Sequence, residues 1–215
     1  MIKQLIINGL KSYDDFGVYI SSRKISQPKK KIIKESIPFS NVVYDFSNIN
    51  GEIYWEERTL EYTFDIAEVS TELMEEVKSR LLDWLMNAQD VEIYDPYIGD
   101  YHYKGSFESD SWNEDFGSGE LSVSFTVYPY KISNEEIEIT ELIEENKTIT
   151  INNNSSHRIL TSIEVNGNLT ILFNNSSYSV SNGLYTNIFY LEKGVNELNI
   201  DGSGTITFKY REERF

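Results

Sequence analysis

The segment IYWEERTLEYTFDI, Ile53 to Ile66, constrains this chain more than any other: it reads as a strand that alternates cleanly over its second half. Leu60, Tyr62, Phe64 and Ile66 fall on one parity, and Thr59, Glu61, Thr63 and Asp65 on the other. A period of two means an extended strand with one buried and one wet face, because successive side chains leave a strand on opposite sides. Leu121, Val123, Phe125 and Val127 repeat the pattern inside LSVSFTVYP. Two such strands predict a layered, mainly β fold whose apolar faces need a cover.

One segment offers that cover. TELMEEVKSRLLDWLMN follows Ser70 and Thr71, either of which can cap a helix N-terminus. Leu73, Val77, Leu81, Trp84 and Leu85 recur at helical spacing and form one apolar stripe. Glu72, Glu75 and Glu76 crowd the first turns, where the helix dipole favours anions. Trp84 on that stripe reads as core. Around the helix lie further strands. Leu5–Ile7 precedes an Asn8-Gly9 turn, 91–95 ends at Pro96, and Tyr101–Ser109 precedes the Leu121–Pro129 strand. The GSG at 117–119 is a turn, too short and poorly spaced to cradle phosphate.

Tyr128-Pro129-Tyr130-Lys131 marks a boundary, giving domains at 1–131 and 132–215. The second part has no helical period. Its short runs TITIN, SIEVNGNLTILFN, SYSVSNGLYTNIFYLEKG, NELNIDGSG and TITFKY predict a β-sandwich. Asn166-Gly167 sits between Ile163/Val165 and Leu169/Ile171, the signal of a hairpin.

Composition narrows the chemistry. The chain has 215 residues and no cysteine, which removes disulfides and thiolate chemistry. His102 and His157 stand 55 positions apart, so a His-rich metal site is not expected. No apolar run approaches the roughly 20 residues that cross a bilayer. MIKQLIINGL reads as a first strand, not a signal peptide. Charge is uneven. Residues 1–34 hold eight Lys/Arg and two Asp, whereas 35–131 hold five Lys/Arg and 21 Asp/Glu. The acidic body argues against tight nucleic-acid binding, which depends on neutralising phosphates. The basic stretch Arg23, Lys24, Lys29, Lys30, Lys31 and Lys34 reads as a solvated loop or an arm that docks on an acidic neighbour.

Catalytic readings are thin. Asp95 and Asp100 flank a Pro-Tyr loop near Tyr94, Tyr97 and Tyr101, the kind of carboxylate pair a glycosidase uses. Among 35 acids such a pair arises by chance. His102 reads as a hydrogen-bonded, partly buried residue and His157 as an exposed turn. Asp110, Asp115 and Glu120 fail the ligand spacing of a calcium loop. No catalytic residue, cofactor or metal site is expected. Asn-X-Ser/Thr matches at Asn146 and Asn168 carry no weight without secretion.

The ordered set of segments carries a resemblance. SQPKKKIIKESIPFSN, VVYDFS, GEIYWEERTLEYTF, the helix ending near Trp84, DPYIGDYHYKGSFES and VYPYK follow one another over residues 1–131. This order resembles the distal tail protein family of long-tailed bacteriophages, often called Dit. Its most specific elements here are the Arg58 strand, Tyr101 to Gly105 and Tyr128 to Lys131. The C-terminal KGVNELNIDGSGTITFKYRE is similar to the last strands of the sandwich such proteins carry. The chain is short for the family, leaving no room for an inserted carbohydrate-binding module or a long receptor-docking arm.

The resemblance implies an N-terminal β-barrel-like, tail-tube-type domain with one helix and a C-terminal galectin-like sandwich. It implies a structural hub: a hexameric ring of the chain with itself, joining the tail tube protein to tail-tip and receptor-binding proteins while DNA passes through. Such a protein resides in the virion at the tail tip, is made in the host cytoplasm and inserts in no membrane. Lys29, Lys30 and Lys31 then become candidates for a subunit-contact arm. Trp55, Arg58, Tyr128 and Pro129 read as core or contact residues. The rival reading is an adhesin module whose Tyr178, Tyr185, Phe189 and Tyr190 stack on host surface glycans.

Overall fold

The computed structural model describes residues 3–48, 51–67, 70–115 and 118–215, apart from the Asp115 side chain. It falls into two compact units, residues 1–131 and 132–215. In the first unit come β1 (Ile6–Ile7), β2 (Leu10–Lys11), β3 (Tyr19–Ile25), β4 (Lys34–Ser36), β5 (Val43–Asp45) and β6 (Arg58–Ile66). Then follow α1 (Thr71–Met86), β7 (Val91–Tyr94), β8 (Tyr101–Asp115) and β9 (Ser118–Val127). The sheet runs β2-β1-β7-β8-β9-β6-β3, with antiparallel neighbours.

The alternation in β6 and β9 holds. Leu60, Tyr62, Phe64 and Ile66 are buried with Leu121, Val123, Phe125 and Val127, and Glu61 and Asp65 face out. α1 packs on β6 and β9 and closes the core. Ser70 caps it, its side chain accepting from the Leu73 N–H. The buried stripe is Met74, Leu81, Trp84 and Leu85, with Val77 half-buried and Leu73 exposed. The expected stripe therefore starts one residue late: Met74, three before Val77, takes the inward position, and its unbranched chain fills the site that Leu73 faces away from. Trp84 donates from Nε1 to the Ile7 carbonyl at 3.1 Å, and its ring stacks on Phe16 at 4.8 Å. Each such fully buried side chain stabilises the fold by about 1.5–3 kcal/mol. The Asn8-Gly9 turn forms as expected, with φ of 52° and 78°, joining Ile7 to Leu10. Gly117 of the expected GSG turn lies outside the described residues, while Ser118 and Gly119 already belong to β9.

β10 (Lys131–Ser133) straddles the boundary, and in the second unit it is followed by β11 (Ile137–Ile143), β12 (Lys147–Asn153), β13 (Ile159–Phe173) and β14 (Ser176–Val180). β15 (Gly183–Leu191), β16 (Gly194–Tyr210) and β17 (Glu213–Arg214) complete it. The expected hairpin at Asn166-Gly167 does not form. β13 runs straight through it and pairs with β16 from Ser162↔Lys209 to Leu172↔Asn199. The reason lies across the pair, where Gly167 meets Gly204 and Leu169 meets Gly202. These glycines hold φ of 134°, 151° and 123°, conformations other residues avoid. A Cβ on any of them would sit 2.3 Å from a carbonyl oxygen of the facing strand. The glycine zone divides the pair in two. β11 and β15 flank the 159–165 half of β13 with its β16 partner, and β12 and β14 flank the other. Ile163, Phe208 and Leu191 from one half share one core with Ile171, Leu198 and Ile151 from the other. One long strand pair thus supplies both layers of a β-sandwich.

Candidate functional site

Between β3 and β6 the chain leaves the sheet as a two-stranded ribbon. Its root is pinned where Ser26 N–H donates to the Thr59 carbonyl and the Thr59 N–H donates to Ser26 Oγ. Lys29, Lys30 and Lys31 on the outgoing limb lie against Tyr54, Trp55 and Glu56 on the returning one. Farther out, Lys34 pairs with Asp45, Glu35 with Tyr44 and Ser36 with Val43. The segment Ile53–Glu57, read in the sequence as continuous with the 58–66 strand, therefore belongs to the ribbon. Trp55 is half-buried there.

The ribbon is apolar where nothing covers it. Ile32, Ile33, Val43, Tyr44 and Ile53 are exposed, and Phe39 at the tip is fully so, with a positive φ of 64°. A contiguous apolar patch of this kind marks an interaction surface. Lys29, Lys30 and Lys31 are also exposed. Charge is partly balanced within the ribbon, since Lys34 and Asp45 lie 3.6 Å apart. Arg23 and Lys24, read with the basic arm in the sequence, stand instead on β3. Lys24 Nζ binds Glu61 at 3.0 Å.

Arg23 turns inward to Asp95. The Asp95 carboxylate, fully buried, accepts from Arg23 Nε at 2.6 Å, the Tyr62 hydroxyl at 2.7 Å and the Tyr97 N–H at 2.9 Å. Burial first, and the neighbouring Asp95 charge second, push the Tyr62 hydroxyl far above the ordinary tyrosine range. This anchor ties the strand that launches the ribbon to the end of β7. It also occupies the carboxylate that a paired-acid mechanism would need accessible, while Asp100 is exposed. Arg58, the first residue after the ribbon, is 4% exposed, with its guanidinium 4.7 Å from the Tyr103 ring centroid. Its Nε and Nη2 have no hydrogen-bond partner among the described residues. Burial lowers its pKa and raises that of Tyr103. Pro129 is buried and Tyr128 exposed.

The wet face of the sheet is paved with hydroxyls. Cross-strand registers align Thr59 with Thr126 and Ser106, and Thr63 with Ser122 and Ser111. Glu61 aligns with Ser124 and Ser109, and Asp65 with Glu120 and Asn113. Many of these groups satisfy one another: Thr63 Oγ1 to Ser122 Oγ at 3.0 Å, Ser109 to Ser124 at 2.8 Å, Thr126 to the Glu108 carboxylate at 2.6 Å.

The remaining candidates disperse. His102 is buried, 3.8 Å from Glu92 and beside Tyr94. His157 is half-buried rather than in an exposed turn, 2.7 Å from Glu213, because β17 hydrogen-bonds Ser155 and Ser156 and brings that carboxylate over. Asp110 and Glu120 lie on paired strands, and Asp115's side chain falls outside the described residues. Among the described residues no group of His, Cys, Asp and Glu is arranged to hold a metal. In the second unit Phe189 is buried against Phe173 and Tyr178, and the Tyr185 hydroxyl accepts from the Ser181 N–H. Only Tyr190 of those four aromatics is exposed, with Arg158 stacked 4.2 Å away, so they form no common platform.

No family model and no curated protein sequence matches the chain. Solved structures do. SPP1 Dit, described as a paradigm of the hub adsorption apparatus in phages infecting Gram-positive hosts, aligns at a TM-score of 0.72 and 13% identity. The alignment covers 98% of this chain and 99% of that one. A chain of the phage P2 baseplate, in its activated conformation with Ca, aligns over 99% of this chain and 98% of its own at 8% identity and a TM-score of 0.49. That second likeness adds no weight. The resemblance read from the ordered segments of the sequence holds for the fold across nearly the whole chain: it has the fold of the phage distal tail, or Dit, proteins.

Proposed function

We propose that this chain is a structural hub of a phage tail, assembling as a closed hexameric ring between tail tube and tail tip. The observation that carries the reading is the ribbon at 27–57, with apolar residues exposed along both limbs and at its tip. A second copy is the occupant that explains it. A ribbon from one subunit lying on the body of the next is a heterologous contact, and repeated rotation closes it into a ring. Burying Phe39 and each isoleucine there would contribute about 1.5–3 kcal/mol per side chain. Lys29, Lys30 and Lys31 meet the neighbour's acidic body and steer the encounter. In this reading residues 1–131 build the ring, DNA passes through it, and the sandwich at 132–215 offers a docking platform for tip and receptor-binding proteins. The fold shared with SPP1 Dit, itself described as a hub, supports the same role.

Light scattering and negative-stain imaging of the purified chain, alone and with tail tube protein, test this. Closed six-fold rings are expected, and Ile33→Asp with Phe39→Asp is expected to abolish them while leaving the circular-dichroism spectrum unchanged. Rings that survive those substitutions, or survive neutralising Lys29, Lys30 and Lys31 together, would remove the corresponding part of the ribbon contact.

A further inference from the structure

We infer that Arg58 is an anion-receiving site whose ligand is a carboxylate, gripped side-on by the guanidinium at the root of the ribbon. The site is built by the fold of one chain and does not depend on the ring reading above.

Arg58 opens β6 on the parity of Leu60, Tyr62 and Phe64, so the strand aims it to the core side of the sheet. It is 4% exposed, and its guanidinium carbon lies over the Tyr103 ring, 4.7 Å from the centroid. The atoms without a hydrogen-bond partner among the described residues are Nε and Nη2. Both lie on one edge of the guanidinium, and their N–H bonds run side by side. Parallel donors of this kind match the two oxygens of a single carboxylate.

The neighbouring charges leave Arg58 in need of one. Arg23 and Arg58 both act on Tyr62 and Tyr103, so two cations share this end of the core with the Asp95 carboxylate. Asp95 is already filled by Arg23 Nε, the Tyr62 hydroxyl and the Tyr97 N–H. Glu56 and Glu57, just before Arg58 in the chain, are exposed. Buried donors with no acceptor are costly, most of all on a charged group. A buried lysine escapes by losing its proton, but an arginine keeps its charge and needs a counter-charge.

Thermal unfolding in a formate titration at fixed ionic strength tests the site. The melting temperature of the full chain should rise saturably, by about 3 °C or more. Arg58→Met should show no such rise. Without formate it should melt no lower than the unaltered chain, because an apolar replacement removes an unpaired buried charge. Arg58→Lys, which lacks parallel donors, should keep about a third of the rise or less. Equal responses in the unaltered chain and Arg58→Met overturn the assignment. No response in either also overturns it and leaves the two donors to water. An Arg58→Met chain that melts well below the unaltered one counts against it too, since the guanidinium would then be satisfied within the fold. Should that variant not fold, Arg58→Lys is the comparison, and a full response there removes the side-on grip.

Repeating the titration across chain concentrations separates the two sources of a carboxylate. A response that persists at every concentration identifies a small anion from solution. One that vanishes as chains associate, with association weakened about tenfold in Arg58→Met, identifies an acidic side chain of a second copy. A chain that stays monomeric even with tail tube protein and still responds to formate removes the hub reading and keeps this site.

Discussion

The ribbon and the hydroxyl face belong to one unit, share the strands β3 and β6 as neighbours, and are both exposed. Their surfaces are nevertheless opposites. One presents Ile33, Tyr44 and Phe39 to water. The other presents Thr63, Ser122 and Ser124, most of them bonded to each other. Exposed apolar area is unfavourable until something covers it, so its persistence points to a partner. A surface of satisfied hydroxyls has no such deficit and is content in water. Exposure alone therefore says little about function; what decides is whether the exposed groups already have their partners.

The largest effect expected is on assembly. Replacing residues 29–55 with a short Gly/Ser link should leave unit 1 folded but abolish rings, read by light scattering beside circular dichroism. Truncated chains that still close into rings would put the subunit contact elsewhere. Next comes the anchor that both surfaces share. Asp95→Ala strands the Arg23 guanidinium and the Tyr62 hydroxyl, and should destabilise unit 1 by about 3–5 kcal/mol in urea unfolding. Combining it with Arg23→Ala should recover part of the loss, because the stranded charge disappears. A smaller, graded effect is expected at high pH. Tyr62 and Tyr103 are shifted upward, chiefly by burial, so the folded unit keeps protons that the unfolded chain releases. Their contribution is fully present below pH about 10, the ordinary tyrosine value, and is lost as pH rises from there. In unit 2 burial raises Tyr210 while the Ser181 N–H lowers Tyr185, so the two oppose each other. Alkaline unfolding followed by tyrosinate absorbance should therefore reach unit 1 first, and Tyr62→Phe should weaken the difference. Smallest of all, Thr63→Val should change stability by no more than about 0.5 kcal/mol and leave rings intact, since water can replace the lost hydroxyl at a half-exposed site. A larger loss would mean the hydroxyl pairs hold the sheet together rather than finish its surface.

Much of this was legible in the chain, and the failures share a cause. Alternation within 53–66 and 121–129 announced two strands and their buried faces, because period-two patterning is local and both strands have one wet side. Asn8-Gly9 and Asn166-Gly167 look alike, yet only the first makes a hairpin. The second is claimed by Gly204, 37 positions away, and no local signal announces a facing glycine. On the helix the stripe was right from Val77 onward and one residue off at its start, where Leu73 and Met74 are equally apolar. The ribbon was read as basic, since Lys29 to Lys34 stand out in sequence. Its exposed apolar character was not, because Ile32, Val43 and Phe39 would suit a buried strand just as well. Which groups line up across the wet face depended on register, and sequence shows one strand at a time.

The glycine zone of the sandwich also bears on how the chain can vary. Gly167, Gly202 and Gly204 sit where even a methyl group would strike a facing carbonyl, so drift at those sites is closed off. Elsewhere on the same unit, Leu160, Leu184 and Val195 lie exposed, where side chains can be exchanged without touching those glycines. A saturation library should therefore recover an invariant crease bordered by freely changing surface: a fixed frame on which a lineage can rewrite its outer contacts without refolding the unit.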